Sequence, residues 1–401
     1  MNNKILPGVV GLGYVGLPTF LRLNRKFNTV GFDINLKRVK NLKKFQDINS
    51  EFKKKDLKLR NSSIITHETN SLKKCNFYII TVPTPIYSNN KPDLRPLNSA
   101  CKIISKNIND GDIVFFESTV YPGLTEGLKK KFFHNKKIWL GYSPERINPG
   151  DKNHTIKNIK KIISIEKFPI EIKKKVFSVY KTITKNLVVS TSIKNAEMSK
   201  VIENIQRDIN IAFMNEILMV CEKLKINFEE VIKLAKTKWN FLNFSPGLVG
   251  GHCLPVDPFY LYHISKLKGH NAKFMLAGRQ VNNYLQKFLE NKVKNRIIKN
   301  RYKNILVCGI TYKANVSDLR NSLSLKIFLN LKKIKDIKVT GYDPIIDKTS
   351  SKNYNIELKI KDLKKYDLIV LLVKHDAFLK KLKKYKKKYP NNFLDFFNLI
   401  N

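Results

Sequence analysis

Short apolar runs alternate with longer polar, helix-capable stretches through the first half of the chain. Val9–Gly11, Thr29–Phe32, Phe77–Val82, Ile113–Glu117 and Ile138–Tyr142 are such runs. Parallel strands covered on both sheet faces have this signature, because neither side needs polar residues. Pro7 falls inside the expected first strand and belongs at its beginning, where a missing N–H is tolerated. From Ala196 to Leu224 the pattern changes. This stretch has no Gly or Pro, and Met198, Val201, Ile202, Ile205, Ile209, Phe213 and Ile217 recur at helical spacing, predicting one long helix. A Gly/Pro-rich loop from Phe244 to Pro258 breaks the helical segments that follow. The alternation then restarts, with strands expected at Asn304–Ile310, Val339–Tyr342 and Asp367–Val373 and a helix at Leu323–Lys333.

With 401 residues the chain can build more than one core. The pattern predicts an α/β protein with two Rossmann-like doubly wound domains, joined by the long central helix and a helical middle domain. The expected boundaries are 1–195, 196–296 and 297–401. A second reading of the N-terminus exists, since Lys4 followed by Ile5–Leu21 imitates a signal peptide. Its glycines fall in a phosphate-loop pattern, so it is read as a cofactor loop.

The formal net charge is +44, from 76 Lys and Arg against 32 Asp and Glu. A basic surface of this size suits nucleic acid or an anionic membrane. The lysines are scattered rather than gathered into an arm, and segments such as Lys157–Lys175 read as ordinary solvated elements. Biased residue usage is therefore the preferred account, with no nucleic-acid partner and no membrane insertion. Cys75, Cys101, Cys221, Cys253 and Cys308 are odd in number, widely spaced and without a C-x-x-C pair, which suits a reducing cytoplasm and argues against both a disulfide framework and a structural zinc site.

Gly11-Leu12-Gly13-Tyr14-Val15-Gly16 fits G-x-G-x-x-G between an expected strand and helix. The glycines permit a tight turn and close backbone approach, and a helix N-terminus stabilises pyrophosphate. Asp33 ends the second apolar run at the distance where a carboxylate bonds ribose hydroxyls, favouring NAD over NADP. The competing reading is a glycine turn with a surface acid. Cys253 stands in Gly250-Gly251-His252-Cys253-Leu254-Pro255-Val256-Asp257-Pro258, where paired glycines let the backbone approach a ligand and prolines define the loop. Lys200 and Asn204, four apart on the long helix, project from one face, as an oxyanion-stabilising pair or as a solvated polar face. Glu145, Thr84 and Thr119 each follow an expected strand, where ligands bind in open α/β sheets. Ordinary turn chemistry is the alternative for each.

Several stretches together resemble the UDP-glucose/GDP-mannose dehydrogenase family over nearly the whole chain. They are Gly11–Pro18, Val82–Pro85, Glu117–Gly123, Tyr142–Asp151, Ala196–Asn204, Gly250–Pro258 and Ser317–Ser322. Thr237–Phe241 and Pro246–Cys253 look most like the bacterial branch making UDP-N-acetylhexosaminuronic acids for Vi-antigen and O-antigen polysaccharides, with UDP-glucose as the other substrate. The resemblance implies NAD held by Gly11, Gly13, Tyr14, Val15, Gly16, Asp33, Arg38, Thr84 and Thr119, with Arg320 approaching it. It implies a nucleophile at Cys253, a polar catalytic group of Lys200, Asn204 and Asp257, and an acid/base at Glu145 with Thr119 aligning water. Phe244, Gly250, Arg279, Asn282 and Lys313 are implied substrate contacts, together with Glu145, Lys200 and Asn204. Pro149 stands where some members have a second glutamate. No metal and a homodimer through the long helix are expected.

That chemistry takes a primary alcohol to an acid with loss of two hydrides to NAD, through a thiohemiacetal and a thioester on sulfur. A two-electron hydroxyacid dehydrogenase would share the fold and the cofactor loop without needing the loop cysteine. A nucleic-acid binder would lose affinity steeply with salt.

Overall fold

A computed structural model describes residues 4–48, 51–60, 62–147, 151, 153–165 and 167–400. Pro7 opens the first strand, as its missing N–H requires. The chain then runs β1 (Pro7–Val10), α1 (Gly16–Leu23), β2 (Val30–Phe32), α2 (Leu36–Lys43), β3 (Ile64–Thr66) and β4 (Phe77–Ile80). It continues with α3 (Arg95–Ser105), β5 (Ile113–Phe116), α4 (Leu124–Phe132) and β6 (Trp139–Tyr142). These strands form one parallel six-stranded sheet in the order β3-β2-β1-β4-β5-β6. Val9 pairs with Gly31 on one side and Ile79 on the other.

Alternation along the buried strands splits the core in two. Val10, Tyr78, Ile80, Val114 and Phe116 face α3 and α4, while Val9, Phe77, Ile79, Ile113 and Phe115 face α1. The strand order reverses between β1 and β4, and the carboxyl ends there are where a doubly wound sheet binds ligands. A parallel pair, β7 (Lys160–Ser164) and β8 (Asn186–Ser190), flanks α5 (Ile170–Ile183). Ile163 with Val176, Val179, Tyr180 and Ile183 completes the second core. The Lys157–Lys175 segment is thus not uniformly solvated. Lys161 is buried, because period two puts it on the same strand face as Ile163.

The long helix α6 spans Ile193–Lys223. After it come α7 (Phe228–Ala235), α8 (Asp257–Leu267) and α9 (Lys273–Asn300), then β9 (Asn304–Cys308), α10 (Leu323–Leu331) and β10 (Lys338–Tyr342). The chain closes with α11 (Lys348–Tyr354), β11 (Ile356–Glu357), β12 (Leu368–Leu371), α12 (Asp376–Lys388) and β13 (Phe393–Asp395). A second parallel sheet has the order β11-β10-β9-β12-β13, with Val307 and Val370 in the core on one face and Leu306 and Ile369 on the other. The fold is the doubly wound α/β arrangement expected twice over. By compactness the chain divides into a first unit, Met1–Glu203 with Phe259–His270, and a second, Asn204–Pro258 with Asn271–Asn401. The divisions fall inside α6, inside α8 and between α8 and α9. Among the described residues no helix is long and apolar enough to cross a membrane.

Candidate active site

In the first unit, Gly11 leaves β1 with φ +93°, and its N–H donates to Phe32. The loop needs glycine for space as well as for φ. A Cβ on Gly16 would stand 1.7 Å from the Gly11 carbonyl oxygen, whereas one on Gly13 would meet open space. Helix α1 starts with no side-chain cap; Leu17 N and Thr19 N donate back to Gly13 O and Val15 O, and Pro18 carries no N–H, so the positive end of the helix is open to an anion at the glycine loop. Asp33 is half-buried at the end of β2. Its Oδ2 accepts from Leu12 N at 2.8 Å and its Oδ1 from Asn35 N. These features fit the pyrophosphate and ribose of a dinucleotide. Arg38 lies underneath, buried, with Nε donating to the Leu12 carbonyl and Nη1 to Asp47 at 2.7 Å. It props the loop from behind. Thr84 and Thr119 are half-buried beyond β4 and β5, and Ser118 Oγ donates to the Val82 carbonyl, fastening the two loops together.

Glu145, three residues past β6, is buried. Its Oε1 accepts from the amides of Arg146 and Ile147, both at 2.7 Å. Its Oε2 lies 2.9 Å from Lys161 Nζ, which also reaches Glu117 Oε2 at 3.1 Å. Burial pushes the Glu117 carboxyl up, with Lys161 opposing and Glu145 adding to it. Arg146 pairs with Glu203 of α6. Lys200, one turn earlier on that helix, is also buried in this unit. Lys161 and Glu117 escaped the sequence reading as a pair, although period two around Ile163 and the strand-end position of Glu117 were both visible. Pro149 lies outside the described residues.

In the second unit, Gly250 and Gly251 bring the cysteine loop against the chain's own loop after β9. A Cβ on Gly250 would stand 2.8 Å from both Asn321 O and Tyr312 Cβ, and one on Gly251, at φ +84°, 2.8 Å from the Tyr312 ring. The close backbone approach expected of these glycines is thus made to protein. Gly251 N donates to Arg320 O, and Asn321 Nδ2 to Gly251 O at 2.8 Å. The Cys253 carbonyl accepts from the amides of Val256 and Asp257, starting α8. Asp257 accepts from Asn204 Nδ2 at 2.5 Å, which ties the loop to α6. Cys253 is half-buried, whereas the other four cysteines are buried, and none of the five is in a disulfide. Burial pushes the Cys75 and Cys101 thiols up to about 12, which leaves them inert at neutral pH. His252 is neutral at that pH, since burial, helped by Arg320 and opposed by Asp318, lowers it to about 4. It cannot serve as a cationic partner for a thiolate.

Arg279 and Asn282 sit inside a buried network. Arg279 Nη1 lies 2.5 Å from Asp208 Oδ1, and Asn282 Nδ2 donates to the same carboxylate at 2.8 Å. Asn282 Oδ1 accepts from Asn215, whose side chain makes a two-way bond with the Gly247 backbone. The network therefore positions the Phe244–Gly250 loop from beneath. Phe244 lines a hollow of about 480 Å³ with Phe213, Leu234 and Leu242. Lys313 is half-buried in the loop after β9, and Arg320 pairs with Asp318 at 2.7 Å. No group of three or more His, Cys, Asp or Glu among the described residues could hold a metal ion.

Three family models match the chain. They are the UDP-glucose/GDP-mannose dehydrogenase family's NAD binding domain over residues 5–208, its central domain over 194–284 and its UDP binding domain over 306–401. Protein CapL of Staphylococcus aureus is 42% identical, across 100% of this chain and 94% of that protein. UDP-N-acetyl-D-glucosamine 6-dehydrogenase of Salmonella typhi is 40% identical, across 94% and 91%. Among solved structures, a UDP-D-ManNAc dehydrogenase from Pyrococcus horikoshii matches with a TM-score of 0.84 at 27% identity, covering 99% of this chain and 96% of that one.

Proposed function

The chain belongs to the UDP-glucose/GDP-mannose dehydrogenase family, and from that premise we propose that it oxidises the C6 hydroxymethyl of a UDP-N-acetylhexosamine to a carboxylate through covalent catalysis at Cys253. The relatives named for N-acetylglucosamine and N-acetylmannosamine substrates support that sugar class over UDP-glucose. The observation carrying the nucleophile is selective exposure. Cys253 alone among the five thiols is half-exposed, in a loop pinned by Asn204 and Asp257.

NAD, when bound, accepts the hydride at each of the two oxidations. The glycine loop, Asp33, Thr84 and Thr119 hold it, while Arg38 keeps the loop in shape. The Cys253 sulfur adds to the aldehyde stage as a thiohemiacetal, which keeps the reactive aldehyde covalently on the protein, and the second oxidation leaves a thioester. Lys200 and Asn204 stabilise the oxyanion, a contribution typically worth about 10²–10³ in rate per donor. Water aligned by Thr119 and activated by Glu145 then releases the uronate. Phe244, Gly250 and Lys313 contact the UDP-sugar, with Arg320 near the cofactor. Arg279 and Asn282 act through Asn215 on the loop.

The product suits capsule or O-antigen assembly in the cytoplasm, where five cysteines outside any disulfide are at home. The apolar hollow between α6 and α9, lined by Met219, Val220, Leu224, Val281, Tyr284 and Phe288, supports pairing with a second copy of this chain. Its lining also includes Glu216 and Lys223, opposite charges that a two-fold seam can bring together.

The test supplies UDP-N-acetylhexosamines and UDP-glucose and counts NADH per uronate. Two are expected, with Cys253→Ala yielding none. Normal uronate output from Cys253→Ala, or one NADH per product, would overturn the reading.

A further inference from the structure

Three side chains from separate stretches meet away from water in the first unit. Lys161 of β7 bridges Glu145, past β6, and Glu117, at the end of β5, with Nζ–Oε2 distances of 2.9 and 3.1 Å. The side chains are 1%, 7% and 0% exposed respectively. A buried charge left unpaired is costly, so this geometry is built rather than incidental. Its arithmetic is unusual. A Lys161–Glu145 pair alone would be neutral, with Glu145 also accepting two backbone amides. A second carboxylate on the same ammonium gives the cluster two acids to one base, so that one bound proton makes it neutral.

We propose that Lys161 and Glu117 are positioning residues for the hydrolytic step: Lys161 aims the Glu145 carboxylate at the attacking water, and Glu117, sharing that ammonium, holds it in place and offsets its charge. This rests on the reading of Glu145 as the base in thioester hydrolysis. In that step the water oxygen bonds to the acyl carbon as the C–S bond breaks, and the sulfur leaves as thiolate with the bonding pair. One water proton passes to Glu145, and the other is released as the product acid ionises. No oxidant takes part. Lys161 moves no atom of the substrate. It lets the arriving proton exchange one charge distribution for another within a fixed frame.

The remaining groups facing the cluster do not supply that charge. The Tyr180 hydroxyl of α5 stands beside Glu117 and Ser143, and burial holds it well above its ordinary range, hence neutral. Arg146 is engaged by Glu203 of α6 and by the Lys160 carbonyl.

The experiment uses the full-length enzyme, a UDP-N-acetylhexosamine and NAD. A burst of NADH reports the oxidations, and rapid quench with intact mass follows thioester decay across pH. Lys161→Met removes the cation, so the pH limb of decay should move up by about one unit or more. Glu117→Gln removes the like charge, so the limb should move down and the plateau fall about tenfold, as for a weaker base. Lys161→Arg should restore most of the decay rate, and the burst should stay within about twofold in each variant. Shifts in the same direction, or none in folded protein, would overturn the proposal. If Lys161→Met fails to fold, Glu117→Gln and Lys161→Arg decide alone. Glu145→Gln separates the two readings. Thioester accumulation there without a shift in Glu117→Gln defeats the cluster only, whereas no accumulation removes the base assignment beneath it.

Discussion

The ends of β1 and β9 are built on one plan and finished differently. Gly11 and Gly309 both follow the central strand with positive φ, +93° and +79°. Their N–H groups donate to equivalent neighbours, Phe32 O and Tyr342 O. Asp33 and Asp343 close β2 and β10, and each turns a carboxylate oxygen back to the amides after the glycine. There the likeness stops. Asp33 is half-exposed, and α1 begins five residues after Gly11 with no side-chain cap. Asp343 is wholly buried against His375 Nε2 at 3.0 Å, and α10 begins after a long loop. Ser322 Oγ caps that helix by accepting from Leu325 N while donating to the Ile310 carbonyl. One sheet therefore offers a carboxylate and a helix start without a side-chain cap to a ligand, while the other uses the corresponding atoms internally and turns its loop toward the cysteine segment. The strands supply the frame, and loop length and a single cap decide the chemistry.

The comparison breaks most visibly at the glycines. Gly16→Ala would place its Cβ 1.7 Å from Gly11 O, and NAD affinity is expected to fall about 100-fold or more by NADH fluorescence titration. Gly309→Ala would meet Val373 O at 2.1 Å with a positive φ, so the loss should appear as stability, roughly 3–5 kcal/mol in thermal or urea unfolding. If Gly309→Ala instead weakened NAD binding without lowering stability, the two loops would not be divided as described.

The acids come next. Asp33→Asn should weaken NAD by about 10–100-fold with little change in Tm, since hydrogen bonds to a charged group are worth ~1.5–3 kcal/mol. Asp343→Asn should leave NAD affinity alone and cost stability at neutral pH. Burial raises the Asp343 carboxyl, but the His375 hydrogen bond and charge and the amides of Ile310 and Thr311 outweigh it, leaving it below the usual carboxylate range. A lowered native value means that its stabilisation is complete above about pH 4 and is lost as pH falls through the native value. Acid unfolding curves of parent and Asp343→Asn should therefore converge at low pH; a constant difference down to pH 2 would contradict that. The smallest effect is Ser322→Ala, about 1 kcal/mol from the lost cap, with cofactor affinity unchanged. A cofactor effect there would tie α10 to the dinucleotide.

Much of this was legible in residue order. The strands at Phe77–Ile80 and Ile113–Phe116, the long helix at Ile193–Lys223 and the glycine loop with Asp33 all follow from local pattern. Apolar period and backbone permissiveness are properties of neighbouring residues, so the chain carries them without folding. Partners distant in sequence are another matter. Lys161 looks like one more solvated lysine until Glu117, 44 residues earlier, and Glu145, 16 earlier, surround it. Arg279 and Asn282 read as ligand contacts, and their bonds to Asp208 are invisible in residue order. Gly250 and Gly251 announced a close approach but not that Tyr312 and Asn321 would make it. Sequence alone determined the two sheets, the cofactor loop and the cysteine segment. Which charges are buried, and what each is held against, only the tertiary structure decided, because desolvation and hydrogen-bond partners exist only once distant segments have packed.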